Sequence, residues 1–406
     1  MKVYIGIDWS EKKHDICYVH ENGEVLRYLK ISHDVEGFLE LDRARQELGV
    51  ASSDCLVALE TAHNLLIDFL CNQNYGALYI IPPNAVKSAQ GRYRQSGAKD
   101  DSQDARLIAD ILRTDRGRFP LWRPDSALTR QIRAKISLIL FLTQGIIRHS
   151  NRLRAVLLRY YPAALQIFSS LDTLISQAFI QAFPTPQDAQ KLTFEDFKLF
   201  AQQHHHTHPK NWARCYNQLQ AHYPSADPDV VTAYSQEAVI LTEILNKLVR
   251  TKQQALHDLQ ILYRQHPDHF IYTSLPAAGV FLEPALLAKL GDDRQRYLSP
   301  AALQSLAGTC PVTRQSGKSR IVVFRRGCDH EFRQIIQQWA KMTIRVSPWA
   351  EAYYRSVRPH CDSENDAVRR LANRWLAIIW KLWQDRIPYD QNYHLRQHAL
   401  RCLPNH

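Results

Sequence analysis

No apolar run in this 406-residue chain approaches the roughly 20 residues needed to cross a bilayer. The N-terminus also lacks the basic, then apolar, then small order of a signal peptide, so a cytoplasmic protein with no membrane contact is expected. The eight cysteines, at positions 17, 55, 71, 215, 310, 328, 361 and 402, contain no C-x-x-C pair. Neither a zinc ribbon nor a disulfide scaffold is suggested by that spacing, and buried free thiols in a reducing compartment are expected. Acidic residues are short of basic ones, 40 Asp and Glu against 51 Lys and Arg, for a net charge of +11. A surplus of that sign favours polyanionic partners over acidic ones. What is present is a hydrophobic content of 45%, enough for packed cores, in a chain long enough for two or three domains.

The chain opens on a short strand that ends in an acid. Val3, Ile5 and Ile7 alternate with Tyr4 and Gly6, Asp8 follows, and Trp9-Ser10-Glu11-Lys12-Lys13 stops the pattern. Strands are expected at Cys17-Tyr18-Val19 and Val25 to Leu29, joined by a hairpin turn at Glu21-Asn22-Gly23. A helix from Val35 to Leu48 ends before Gly49, and a buried strand Cys55 to Leu59 ends at Glu60. A further strand, Ala77 to Ile81, runs into Pro82-Pro83-Asn84. This order of strands and helices is that of a ribonuclease-H-like α/β fold, expected over residues 1–124.

Arg92, Arg94 and Lys99 then lead into Lys99-Asp100-Asp101-Ser102-Gln103-Asp104-Ala105, and Leu107, Ile108, Ile111 and Leu112 supply a helical face. Asp101 and Asp104, three apart on the first turn of that helix, share one side. Acids at a helix start also suit the macrodipole, which accounts for one Asp better than for two flanked by basic clusters. Asp8, Glu60, Asp101 and Asp104 thus form one set of carboxylates from two strand ends and a helix. Such a set suits two Mg²⁺ ions, which take oxygen ligands and in pairs stabilise the attacking and leaving oxygens of phosphoryl transfer.

Residues 125–268 read as helical. Ile132, Ile136, Ile139, Ile146, Leu153, Leu157 and Tyr160 keep a four-three repeat in one long helix, with Thr143 and Ser150 in the seam. Leu241, Leu245, Leu248, Ala255, Leu259 and Leu262 keep it in another, around Lys252. Such a pair makes either a coiled-coil arm, an oligomer contact or two members of a bundle. The stretch between them, about 162–228, reads as an irregular or partly helical insert, and its His204, His205, His206 and His208 as a solvated loop rather than a metal site.

The last region, 269–406, reads as mainly helical. Thr273 to Gly279 leads to a helix from Glu283 to Leu290, an arrangement that resembles a helix-hairpin-helix. A short helix follows Ser299-Pro300. The segment Thr313-Arg314-Gln315-Ser316-Gly317-Lys318-Ser319-Arg320 reads as a loop that gathers hydroxyl, glycine and basic side chains, and Arg325-Arg326-Gly327 precede a helix from Glu331 to Ile344.

Taken together, G-I-D at the N-terminus, L-E at 59–60, K-D-D-S-Q-D-A at 99–105, L-P-A-A-G at 275–279, G-D at 291–292, Y-L-S at 297–299, L-A-G-T-C-P at 306–311 and Q-S-G-K at 315–318 resemble the "IS-one-ten" insertion-sequence transposases. The related Piv-type DNA invertases share the D-E-D-D tetrad. The resemblance covers most of the chain apart from the insert. It implies a RuvC-like catalytic domain, a coiled-coil region and a C-terminal transposase domain with an essential serine. It also implies an enzyme of DNA recombination that works as a homo-oligomer on donor and target DNA, guided by a structured bridge RNA. By the same resemblance Asp8, Glu60, Asp101 and Asp104 bind Mg²⁺ and Ser316 is the nucleophile. Asp100 and Asp101 compete for the third acid, and the three-residue spacing to Asp104 favours Asp101. Arg92, Arg94, Lys99, Gly317, Lys318, Arg320, Arg325 and Arg326 are the candidate nucleic-acid contacts. A RuvC-like nuclease without recombinase activity would use the same acids and no Ser316. An actin-like sugar kinase also opens on Gly-x-Asp-x-Ser, yet needs Gly-rich phosphate and adenosine loops for which 14 glycines leave no candidates.

Overall fold

The computed structural model describes residues 1–61, 65–92, 101–206, 208–221, 223–317 and 319–393; the side chains of Arg92, Asp101 and Ser102 fall outside that description. The chain forms two compact units, Met1–Asp125 with Asp293–Leu298, and Ser126–Asp292 with the residues from Ser299 onward.

The first unit is built on a six-stranded sheet among the described residues. Strands β1 (Val3–Trp9), β2 (Lys13–His20) and β3 (Val25–Ser32) form an antiparallel meander. β4 (Cys55–Leu59) and β5 (Ala77–Ile80) run parallel to β1, and β6 (Leu121–Trp122) is antiparallel to β5. The strand order is β3-β2-β1-β4-β5-β6, which places β1 in the interior of the sheet. Helices α1 (Val35–Glu47), α2 (Leu65–Asn72), α3 (Pro83–Ala89) and α4 (Asp101–Asp115) connect them. Successive residues of a strand point to opposite faces. Ile5, Ile7 and Val57 are therefore buried with Phe38, Leu41 and Leu66 on one side, and Tyr4, Cys17 and Ala58 with Ala105, Ile108 and Leu112 on the other. Each large apolar side chain so covered contributes about 1.5–3 kcal/mol. Tyr4 and Gly6 of β1 face this second core rather than solvent. The hairpin turn forms as expected, with Gly23 at φ 94°. α1 starts where the Asp34 carboxylate accepts the Gly37 N–H at 2.8 Å, and Gly49 follows its end at φ 68°. Neither α3 nor the two-residue β6 was anticipated.

In the second unit, α5 (Ala127–Tyr160) and the helix Pro228–Gln265 lie antiparallel, as Lys135–Asp258 at 2.7 Å and Arg152–Glu237 at 2.6 Å require. Their repeats face each other within one chain: Ile132, Ile136, Ile139, Leu153 and Leu157 are buried, as are Leu241, Leu245, Ala255 and Leu259. Of the two readings of the stretch 162–228, irregular or partly helical, the helical one holds, and more fully than expected. Helices Leu174–Ala182, Phe194–Gln203 and Trp212–Leu219 pack Phe179, Phe197, Phe200 and Trp212 against the paired helices. His204 and His205 are exposed there, while His206 accepts a hydrogen bond from the Trp212 indole at 2.9 Å.

The C-terminal part gathers around buried tryptophans. The helix that follows Thr273 begins at Gly279, not Glu283, and ends at Leu290. Helices Pro300–Leu306 and His330–Thr343 lie close to expectation, whereas Pro348–Val357 and Glu364–Asp385 were not foreseen. Trp339, Trp375 and Trp383 are buried, and each indole N–H finds an acceptor, in Pro276 O, Thr343 Oγ1 and Gly291 O respectively. The segment read as a loop is a β-hairpin, β7 (Val312–Ser316) with β8 (Ser319–Val323).

Candidate active site

Asp8 is the sixth residue of β1 and is half-buried. Ile7 is in register with Leu59 of the parallel β4, so Asp8 and Glu60 are the next residues along two neighbouring strands. The helix that carries the other acids is held against β1 by the smallest residue available. A Cβ on Gly6 would stand 2.0 Å from the Ala105 carbonyl oxygen and 2.4 Å from the Ala109 nitrogen. Only a glycine admits α4 this closely, and Asp104 is the residue preceding that contact. The electrostatics agree with this placement. Burial, and after it the negative charge of Asp104, raises the Glu60 carboxyl above its ordinary value. Asp8, Glu60 and Asp104 are thus brought to one rim of one sheet. Asp101 lies on the first turn of α4, with its side chain outside the described residues.

Among the described residues, no group of three or more His, Cys, Asp or Glu side chains is already close enough to hold a metal ion. The donor chemistry nevertheless suits Mg²⁺. Every candidate ligand is a carboxylate, and Glu60 is raised by burial and then by a neighbouring anion whose repulsion a bound cation would offset.

Ser316 belongs to the other unit. It closes β7 opposite Ser319, is solvent-exposed, and precedes Gly317, whose φ of 55° is left-handed. A Cβ added to Gly317 meets nothing within 4 Å among the described atoms, so the glycine serves backbone conformation in open space. Arg320 stands opposite Gln315 and is exposed, as is Arg326, whereas the Arg325 guanidinium donates to Cys310 O at 3.3 Å. Arg333 donates to the Arg325 carbonyl and, with Arg369, lies over the Phe324 ring at 4.5 and 4.7 Å. Arg94, Lys99 and Lys318 lie outside the described residues, as does the Arg92 side chain.

Sequence reasoning overlooked the other wall of the Asp8 rim. A cleft of about 520 Å³ is lined by Asp8, Trp9, Ser10, Lys12, Lys13, Asp15 and Lys30. Asp15 pairs across the strands with Asp8 and is bridged by Lys30 at 3.2 Å. Lys12 and Lys13 marked only the end of a strand in the sequence, and Lys30 joins them solely through pairing of β2 with β3. No helix among the described residues is long and apolar enough to cross a membrane, and Cys17, Cys55 and Cys215 are buried free thiols.

Comparison with known proteins agrees with this layout. Residues 5–162 match a transposase model of the DEDD type, and residues 271–355 match the model described as transposase IS116/IS110/IS902 family. The chain is 30% identical over 398 residues to the mini-circle putative transposase for IS117 of Streptomyces coelicolor, covering 96% of each. It is 26% identical to the IS900 42 kDa protein of Mycobacterium paratuberculosis, over 95% of this chain and 97% of that one. To the IS116 44.8 kDa protein of Streptomyces clavuligerus it is 24% identical over 95% of both.

Proposed function

The chain belongs to the IS110/IS116/IS902 family of insertion-sequence transposases, enzymes that bind DNA and cleave and exchange its strands, and from that premise we propose how its residues divide the work. Residues 1–124 form a ribonuclease-H-like, RuvC-like catalytic domain, 125–268 a coiled-coil region, and 269–406 a transposase domain that carries the nucleophile. The strand order of the first unit, with three antiparallel strands followed by parallel β4 and β5, supports the first assignment. The observation that carries the reading is the convergence of Asp8, Glu60 and Asp104, through the register of β1 with β4 and the Gly6 contact.

Asp8, Glu60, Asp101 and Asp104 would hold Mg²⁺, which supplies positive charge to the oxygens of the reacting phosphodiester. Ser316 attacks the phosphorus through Oγ. A serine–phosphate bond forms, the bond to one sugar oxygen breaks, and the hydroxyl proton leaves with that oxygen. A hydroxyl of the exchanged strand then attacks the phosphoserine, rejoining the DNA and restoring the serine. Serine is a weak nucleophile at neutral pH and needs an activating base or ion, an activation that the carboxylate set with its Mg²⁺ would supply. Arg320, with Lys318, Arg325 and Arg326, neutralises phosphate charge beside it. Arg92, Arg94 and Lys99 hold nucleic-acid backbone near α4. The enzyme acts as a homo-oligomer directed by a structured guide RNA, a reading supported by the net charge of +11 and the family resemblance.

Replacing Asp8 by Ala or Glu60 by Gln should lower strand exchange at least about a hundredfold while DNA binding persists. Mg²⁺ titration followed by calorimetry should lose its high-affinity phase in the same variants. Wild-type exchange by Asp8→Ala would remove the tetrad from the reaction.

A further inference from the structure

Trp9 follows the first catalytic acid, yet remains 38% exposed at the end of an otherwise buried strand. It is held from beneath. His14, its cross-strand partner, is completely buried and lies nearly parallel to it, with ring centroids 6.2 Å apart and planes at 21°. Phe38 continues the layer under His14, at 6.3 Å and 26°. His14 is fixed in turn by a 2.8 Å hydrogen bond between its Nε2 and His33 Nδ1. An indole supported this way loses little further freedom when something settles on its open side.

Trp9 lines the 520 Å³ cleft together with three lysines, Lys12, Lys13 and Lys30, and two acids, Asp8 and Asp15, the second of them bridged by Lys30. The loop that carries the first two lysines is pinned. Ser10 N–H donates to Lys13 O at 3.2 Å, and His33 N–H donates to Lys12 O at 3.0 Å. An exposed aromatic ring at a cleft that also carries lysines is the pattern that binds unpaired nucleotides: bases stack on the ring while lysines take the phosphates. A base paired within a duplex is already stacked on its neighbours and cannot offer its face.

We infer that Trp9 is a stacking platform for an unpaired DNA base next to the scissile phosphate, with Lys12, Lys13 and Lys30 holding the adjoining backbone. The inference rests on the reading of Asp8 as part of the catalytic set, and it makes Trp9 a positioning residue that keeps the opened strand in line with that acid.

The test uses the full-length protein with EDTA, so that binding is read whether or not the enzyme is active, and a single-stranded DNA oligonucleotide containing 2-aminopurine, whose fluorescence falls on stacking. Wild type should quench the probe. Trp9→Ala should abolish the quenching and weaken single-strand affinity about 5- to 150-fold, whereas Trp9→Phe should retain most of both. Affinity for blunt duplex DNA should be unchanged in both variants. Equal quenching by Trp9→Ala and wild type would overturn the inference, and so would equal loss on duplex and single strand. Trp9-dependent quenching confined to an RNA probe of the same sequence would overturn the assignment to DNA. Loss of strand exchange in Asp8→Ala with Trp9-dependent quenching intact supports both readings. Wild-type exchange in Asp8→Ala with quenching intact removes the catalytic reading alone.

Discussion

Gly6→Ala is the smallest change that should separate the acids of the site. The added Cβ would sit 2.0 Å from the Ala105 carbonyl oxygen, where ordinary contact begins at 3.4 Å. α4 must therefore retreat from β1 by roughly an ångström, or β1 must bend, and Asp101 and Asp104 move away from Asp8 and Glu60. The obstructing atoms, Ala105 O and Ala109 N, belong to the backbone, so trimming a side chain on α4 cannot relieve them. Overpacking of this kind costs about 1–3 kcal/mol. Misplacing catalytic groups by an ångström costs roughly a hundredfold in rate. Thermal unfolding should show a loss of several degrees, and strand exchange under conditions where the variant is still folded should fall about a hundredfold. Ala105→Gly should not restore either property. A Gly6→Ala protein with wild-type melting and exchange, or one rescued by Ala105→Gly, would refute the proposed seating of α4.

Burial first, and then the neighbouring His33, lowers the pKa of His14 from 6.5 to about 4. The unfolded chain therefore binds the extra proton between pH 6.5 and 4, and stability should fall through that window as the solution is acidified, by up to about 2 kcal/mol once solvent screening is allowed for; His14→Gln should flatten the slope in urea titrations. Arg296 forms a two-pronged ion pair with buried Asp125 at 2.9 and 3.0 Å. Asp125→Asn leaves that guanidinium uncompensated and should cost about 3–5 kcal/mol in chemical denaturation; a loss below 1 kcal/mol would make the pair ornamental. DNA affinity should fall linearly on a log–log plot against salt, and Arg320→Ala and Arg326→Ala should each reduce the slope by about 1, a test that a salt-insensitive complex would fail.

The sheet and its acids were legible because both carry local signals. Val3, Ile5 and Ile7 alternate, Cys55 to Leu59 is an unbroken apolar run, and each is followed by a carboxylate where the pattern breaks. Leu107, Ile108, Ile111 and Leu112 likewise mark a helix whose apolar face is buried against the sheet. The remainder depended on information that no single window holds. Gly6 reads as a weak point in a strand until Ala105, almost a hundred residues later, is laid over it. The hairpin of Ser316 is exposed on both faces, so its residues show no period of two and resemble a loop. Lys30 reaches the Asp8 cleft only through strand pairing, and β6 is too short for any periodicity. The phenylalanines of the insert fill a core shared with the paired long helices, which local spacing does not announce.

The central claim is that Ser316 acts chemically on DNA in concert with the acidic set. Mass spectrometry of complexes trapped on a nicked DNA substrate in Mg²⁺ tests it most directly. The account predicts a nucleotide-bearing peptide that contains Ser316, lost in Ser316→Ala and retained in Ser319→Ala, its cross-strand neighbour on the same hairpin. A wild-type yield of adduct, or of recombined product, from Ser316→Ala would contradict it.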